Sequence, residues 1–488
     1  MRDTLQIDTR RAVLFIAVLC ALLYVNWVFT VARFQPNVMY WDQWEIFQPL
    51  FQGAGWWVRF MHQNGPVREG LGLVITGWIL DATQWDVRYD SLWGASTLLL
   101  AAVLAVRLKW KMTGAIGLRD AWIPLLCLSP GQFETVLVVG QPAHSVLPFA
   151  LIVLAANIWL SPTPIVKYLV GAVVVVMLTF TGFGLFAGAA LTVLLVTRAC
   201  RHALEGERRL MWLAVAGIAL SAAGWVVFRR DYVFNPSLGN FTWWWMPWTD
   251  YVRFILRMLG RPLAAVGQEQ LPYLAGSVLA LVVVGAALRI AWVWLRDRAS
   301  PRNDVLVLLM GSGLLFVAVT VTGRVSLGPV AGTAPRYLTL MIPMWLAAYL
   351  AAAMSGKRRV GLAAIAGVWV LAALPYLSVL QRPPAEWPGT VGLTQADLAS
   401  ILHYGTNKAA WVDVEVATGS WEAAQEAQRQ FLHSNPEGTH MDDKIRFMRE
   451  RKLSFFAGEP ERGDYMPWLA DENFRRLVAG QKKGGGEE

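Results

Sequence analysis

The stretch Met39-Tyr40-Trp41-Asp42-Gln43-Trp44-Glu45 sets two carboxylates three residues apart among aromatic side chains. On a helix that spacing puts both on one face. The stretch closely follows the apolar run 12–32, so both acids fall at a membrane boundary. A carboxylate at a low-dielectric edge is pushed toward the range of a general base. A purely local reading also stands: Asp42 caps the short helix after it, and Glu45 marks where the chain meets water.

Three further groups carry possible chemistry. The run from His62 to Glu69 is dense in donors and acceptors and is bent by Gly65-Pro66. His62, Asn64 and Arg68 suit a sugar, or simply close a turn between surface helices. Farther on, Gly323-Arg324-Val325-Ser326 and Arg336-Tyr337 place two arginines around a loop containing Gly and Pro. Arginine grips phosphate with two parallel hydrogen bonds and stays charged. A lipid phosphate or pyrophosphate fits that pair, as does a snorkelling role at the head groups. The third group centres on Glu134, an acid within an apolar run, with Gln132 just before it. A carboxylate in a membrane must be paired or neutral, so Glu134 reads as functional or as a tie between helices. Gln141 and His144 lie at the end of the same hairpin. The run Trp243-Trp244-Trp245-Met246-Pro247-Trp248 is an interfacial anchor or a stacking surface for sugar.

What positions these residues is a series of apolar runs. The chain has 488 residues, 56% of them hydrophobic and only 16% charged, against about 25% charged in an ordinary soluble domain. Its mean hydropathy is +0.42. Candidate spans are 12–32, 90–108, 121–139, 143–160, 165–180, 184–199, 210–228, 272–295, 304–322, 337–354 and 359–380. Peptide groups cannot stay unpaired in lipid, so the spans must be helices. The pair 165–180 and 184–199 is short and forms a tight hairpin or a re-entrant loop. Arg10 and Arg11, Arg107 to Arg119, Arg198 to Arg209, Arg296 to Arg302, and Lys357 to Arg359 all fall on one side if the spans alternate. The positive-inside rule makes that side the cytoplasm. A multi-pass inner (plasma) membrane protein follows, with its amino terminus cytoplasmic and its carboxyl terminus extracytoplasmic. Run 12–32 is long for a signal peptide, and Thr30-Val31-Ala32 is a poor cleavage site.

The expected fold is an all-α membrane protein. About eleven spans fill residues 1–380, and an outer loop, 33–89, carries the candidate site. Segments 44–61, 67–80 and 247–260 are expected to lie along the membrane surface as helices. A soluble helical tail, 381–480, contains helices near 394–404, 419–433 and 440–452, and residues 481–488 are disordered.

Several classes are excluded. The net charge of +9 sits in short loops between apolar runs, so it reports topology rather than a nucleic-acid partner. Cys20, Cys127 and Cys200 lie in or at the ends of apolar runs, without metal-ligand spacing, and act as small fillers. There is no phosphate-cradling Gly-rich loop, no nucleophile-elbow serine and no His-rich metal motif. Any donor must therefore reach the outer face already activated, as a polyprenyl-phosphate sugar does.

Taken in order, Asp42-Gln43-Trp44, His62 to Arg68, Pro130-Gly131-Gln132-Phe133-Glu134 and Gly323-Arg324…Arg336-Tyr337 resemble the GT-C superfamily of polytopic membrane glycosyltransferases. The likeness spans most of residues 10–380. It implies a GT-C-like bundle that uses a polyprenyl-phosphate sugar donor and a glycan or lipid acceptor. It also implies that Asp42 acts as base in an inverting transfer, with Arg324 and Arg336 on the phosphate. Glu45 and His62 would orient the acceptor or serve a divalent metal. Two departures stand out: the adjacent acidic pair of the family is spread to Asp42 and Glu45, and Gly65-Pro66 replaces further polar residues. The first leaves metal use open. Two other classes remain: a flippase or transporter of lipid-linked glycans, and an O-antigen ligase or polymerase. A flippase needs charge lining a path through several spans, and most spans here have none. A ligase places its working residues in a long late loop, whereas here the first loop is long and 323–336 is short.

Overall fold

Apolar runs of this length force helical structure, because a bilayer interior offers no water to pair the backbone. The computed structural model describes residues 2–138, 143–233, 246–263, 271–297, 299–355, 367, 372–373, 375–418, 432 and 437–457. It is about 81% helical. The strands among the described residues are the hairpin Gln63–Asn64 with Val67–Arg68. Among the described residues, seven helices are long and apolar enough to cross a membrane: Thr9–Phe34, Val87–Thr113, Gly182–Leu204, Arg208–Arg229, Pro272–Arg296, Pro301–Leu327 and Pro335–Met354. Shorter apolar helices, Val146–Trp159 and Val166–Thr179, match two more of the expected runs. The chain has the build of an all-α membrane protein. Most of run 359–380 lies outside the described residues, as do Trp243 to Trp245, residues 481–488 and, apart from Leu432, segment 419–433.

Local chemistry explains the ends. Helix Val87–Thr113 opens on Asp86, whose carboxylate accepts a hydrogen bond from the Arg88 N–H at 3.0 Å, and closes on Gly114 at φ 75°. Over 165–199 the chain turns at Gly182–Gly184 and returns as Leu185–Leu204. Gly182 has φ +50°, and a Cβ there would lie 2.5 Å from the His144 Cα. Only glycine lets this turn press against His144.

Run 121–139 is not one helix. Trp122–Cys127 is helical, but Pro130 has no N–H to give and its ring crowds the preceding turn. Gln132 Nε2 then donates to the carbonyls of Cys127 at 3.0 Å and Ser129 at 3.1 Å. The chain resumes as a wide π turn over Glu134–Val138. Irregular backbone of this kind survives at membrane depth only when buried in protein, and Glu134 to Val138 are all buried.

The two ends of the bundle differ. One is locked by buried ion pairs. Asp304 accepts from Arg198 Nε at 2.6 Å, Trp159 Nε1 at 2.8 Å and Trp294 Nε1 at 2.9 Å, and Lys109 pairs with Asp120 at 2.8 Å. The other end carries the first loop, the turns at 325–337 and the tail. In that loop, segment 44–61 is split into Gln43–Ile46, Gln48–Phe51 and Trp56–Met61. The surface helix expected at 67–80 begins later, at Gly70, because 63–68 form the hairpin. Helix Trp248–Gly260 buries Tyr251, Phe254 and Met258 and turns Arg253 outward. That is the pattern of a helix lying on a surface.

The tail is seated on this end. Thr30 Oγ1 donates to Gly389 O at 2.6 Å, Asn26 Nδ2 to Val391 O at 2.9 Å, and the Trp41 N–H to Leu432 O at 2.7 Å. Arg261 forms a buried ion pair with Asp397. Helix Gln395–Thr418 is longer than the expected 394–404, and Met441–Glu450 falls within the expected 440–452.

Candidate functional site

The break at Pro130 leaves Glu134 facing the start of helix Leu338–Met354. The Arg336 backbone N–H donates to Glu134 Oε2 at 3.1 Å, and its guanidinium donates to Oε1. The carboxylate is thereby neutralised inside protein, as a buried acid must be. The Glu134 side chain is 5% exposed, whereas Arg336 keeps 40% of its surface open. Part of the Arg336 side chain therefore stays open beside this pair. It also lies 5.4 Å over the Tyr337 ring.

Asp42 belongs to this group. Its charge acts on the Arg336 guanidinium. It occupies the N-cap position of Gln43–Ile46, yet its side chain makes no capping hydrogen bond. The local reading, in which Asp42 is spent on its own helix, does not describe this side chain.

The tail adds two residues that the sequence did not single out. Tyr404 packs its ring edge-on against Tyr40 at 5.9 Å and feels the charges of Glu134 and Arg336. Burial is the main reason its phenol is pushed up to about 12. One turn along, Lys408 is 1% exposed and donates from Nζ to Gln35 Oε1 and Leu137 O, both at 3.0 Å. The Leu137 carbonyl lies in the π turn, where the regular ladder is broken. Burial drops the Lys408 amine to about 7. A released amine titrates near 10.4. Between those values the released tail holds a proton that the docked tail lacks, so docking strengthens as pH rises through this window and is weakest at its lower end. Limited proteolysis of Gln395–Thr418 in the full-length protein should slow as pH is raised from neutral, relative to Lys408→Met under the same protease. A wild-type pH response equal to that of Lys408→Met would remove Lys408 as the cause.

A second polar group sits nearby. Glu69 is fully buried, and its Oε1 lies 2.6 Å from His144 Nε2. Its Oε2 is buried without a hydrogen-bond partner. The Glu69 N–H donates to the His62 carbonyl at 3.0 Å. The His62 ring is bonded to the Glu45 backbone, and burial pulls its pKa down, with Glu69 partly opposing. Lys444 donates to Trp44 O. Burial lowers its amine to about 8, and the Glu45 charge acts on it in the opposite direction. Glu45 and Asp42 thus answer to different cations. An aromatic wall joins the two groups: His144 to Phe183 at 5.5 Å, Phe183 to Phe316 at 6.0 Å, and Phe316 to Tyr337 at 6.3 Å.

Other candidates are placed differently. Arg68 is 2% exposed and spends its guanidinium on carbonyls, with Nε at 3.0 Å and Nη2 at 2.9 Å from Phe228 O, and further bonds to Arg230 O and Met61 O. It closes the carboxyl end of helix Arg208–Arg229, where carbonyls lack partners. Asn64 sits half-buried in the small hairpin. Arg324 is the last residue of helix Pro301–Arg324, and Arg336 opens the next helix across the turns at 325–337. Gln141 lies outside the described residues. Trp248 is 74% exposed, as an interfacial anchor would be. Among the described residues, the one group of His and carboxylates spaced for a metal ion is His202, Glu205 and Glu207. It lies at the far end of the 20-residue helix Leu185–Leu204, about 30 Å from the turn that touches His144.

No protein-family model matches the chain, and no curated protein matches it.

Proposed function

We propose that the chain is a GT-C-type glycosyltransferase of the inner membrane, which moves a sugar from a polyprenyl-phosphate donor to a glycan or lipid acceptor. One observation carries the reading: Asp42, whose side chain makes no capping bond, lies within electrostatic reach of Arg336, whose part-open side chain a buried acid holds in place. A base beside a fixed cation is what an inverting transfer from a lipid phosphate requires.

In this mechanism Arg336 binds the donor phosphate, with Arg324 and Tyr337 at the two ends of the same loop. Asp42 takes the proton from an acceptor hydroxyl. The oxygen attacks the anomeric carbon from the face opposite the phosphate, and the bond to the phosphate oxygen breaks with inversion. Polyprenyl phosphate leaves with its new charge on Arg336, and the proton stays on Asp42. Glu69, held by His144, braces the acceptor side of the site from within the protein, with His62 beside it. Glu45 acts through Lys444 to hold the Met441–Glu450 segment over the loop. The positive-inside pattern sets this end outside the cytoplasm, with about eleven spans in all.

The test uses the purified full-length protein in liposomes with a panel of polyprenyl-phosphate sugars and envelope glycolipid acceptors. The expected result is sugar on the acceptor and free polyprenyl phosphate in equal amounts. Movement of the donor across the bilayer without transfer, for every sugar on the panel, would replace this reading with a flippase.

A further inference from the structure

The bundle end away from Asp42 holds a second polar site. A cavity of about 260 Å³ opens there, lined by Lys167, Arg198, Arg201, His202, Glu205 and Glu207 among others. We propose that this cavity binds a phosphate group, carried by a phosphomonoester lipid or free in solution, through Lys167 and Arg201.

The backbone brings these residues together from separate elements. Lys167 and Tyr168 come from the π turn Val166–Val170, a local widening of the helix that re-aims side chains. Arg198, Arg201 and His202 come from one face of Leu185–Leu204, at spacings of three and four. Most of these groups already have partners. Arg198 is held by Asp304 and by Ala299 O at 3.3 Å. The His202 ring is fixed by both nitrogens, with Nε2 2.6 Å from the Tyr168 hydroxyl and Nδ1 2.5 Å from Glu207 Oε2.

Two cations are left with donors to spare. Arg201 gives Nε to Glu205 Oε1 at 2.7 Å, but its Nη1 is buried with no hydrogen-bond partner. The Lys167 backbone N–H donates to Thr163 O at 3.1 Å, but its ammonium makes no hydrogen bond or ion pair among the described residues. A buried guanidinium nitrogen without an acceptor is costly, and a phosphate oxygen supplies one without breaking any existing pair. Asp304 offsets Arg198, which leaves Lys167 and Arg201 against Glu205 and Glu207; with charge balanced, the unused donors on the two cations are what favour an anion.

The competing occupant is a divalent cation, because donor atoms of His202, Glu205 and Glu207 lie within 4.8 Å of one another. To take one, Glu205 would have to leave Arg201, and the ion would sit beside the freed Arg201 and Lys167. Coulomb repulsion in a half-buried site weighs against that arrangement. A lipid source is natural because Leu204 is 90% and Trp212 63% exposed on the helices that flank the cavity, and tryptophan favours the head-group region. This site is independent of the transfer reaction, and its failure would leave the Asp42 reading untouched.

The test is native mass spectrometry and thermal unfolding of the full-length protein in phosphatidylcholine nanodiscs. One arm adds phosphatidic acid to the bilayer, one adds inorganic phosphate, and one adds Zn²⁺. Phosphatidic acid should be retained over phosphatidylcholine and raise the unfolding midpoint. Lys167→Gln and Arg201→Gln should each weaken retention about tenfold, a difference of one decade in dissociation constant. Arg230→Gln, an exposed arginine at the other end, should not. Stabilisation by inorganic phosphate alone, lost in the same two variants, supports the site with a soluble ligand as its source. The proposal is overturned if neither phosphate probe binds, if both variants bind as wild type does, or if Zn²⁺ alone binds and His202→Ala abolishes it.

Discussion

Asp42→Asn should lower sugar-transfer turnover by about 10²- to 10⁴-fold, the usual contribution of a positioned base. Asparagine has the same shape and cannot accept the proton. The protein should stay folded, because the Asp42 side chain makes no capping bond whose loss would loosen Gln43–Ile46. Donor affinity should hold or tighten slightly, since the substitution removes a negative charge whose field reaches Arg336, the proposed phosphate ligand. Single-turnover rates and donor binding measured on the same preparation separate these effects. A variant as active as wild type would take Asp42 out of the chemistry.

The second large effect falls on the Glu134–Arg336 pair, and it should be lopsided. Arg336→Ala leaves a carboxylate that is 5% exposed without its counter-ion, which costs on the order of 3 kcal/mol of stability. That is the low end of the range for breaking a buried pair, chosen because the Arg336 side chain is 40% exposed. Glu134→Gln should cost less, since the cation left behind can still reach solvent or a phosphate. Adding Glu134→Gln to Arg336→Ala should restore much of the lost stability but none of the donor affinity. Thermal unfolding and donor binding on the four proteins complete the cycle. Equal losses from the two single variants would show that the pair does not have this one-sided burial.

The residues readable in the sequence were those whose charge is out of place. Glu134 stood out within an apolar run, and Asp42 and Arg336 stood out beside spans, so the core of the candidate site was visible before its geometry. Partnerships across long stretches of chain were not. The Glu69–His144 contact joins residues 75 positions apart, and Lys408 reaches Leu137 across 271. No local period encodes such pairings. Arg68 shows a different limit. A donor-rich run looks the same whether its arginine meets a ligand or, as here, the carbonyl end of a distant helix. In the fold, composition and period located most of the long helices. The break at Pro130 was carried by one residue inside a run that remains apolar on both sides, so hydropathy alone read straight through it.

The seating of the tail also bears on how the protein is made. The Leu137 carbonyl waits in its widened turn for an amine that the ribosome adds 271 residues later. Tyr40 likewise waits for the ring of Tyr404. A nascent chain halted before the tail would carry every residue proposed for the chemistry and still lack the wall that closes around it. The wall around the proposed site is thus closed only after the tail helix has been made, and a chain lacking that helix leaves the Leu137 carbonyl and the Tyr40 ring without these partners.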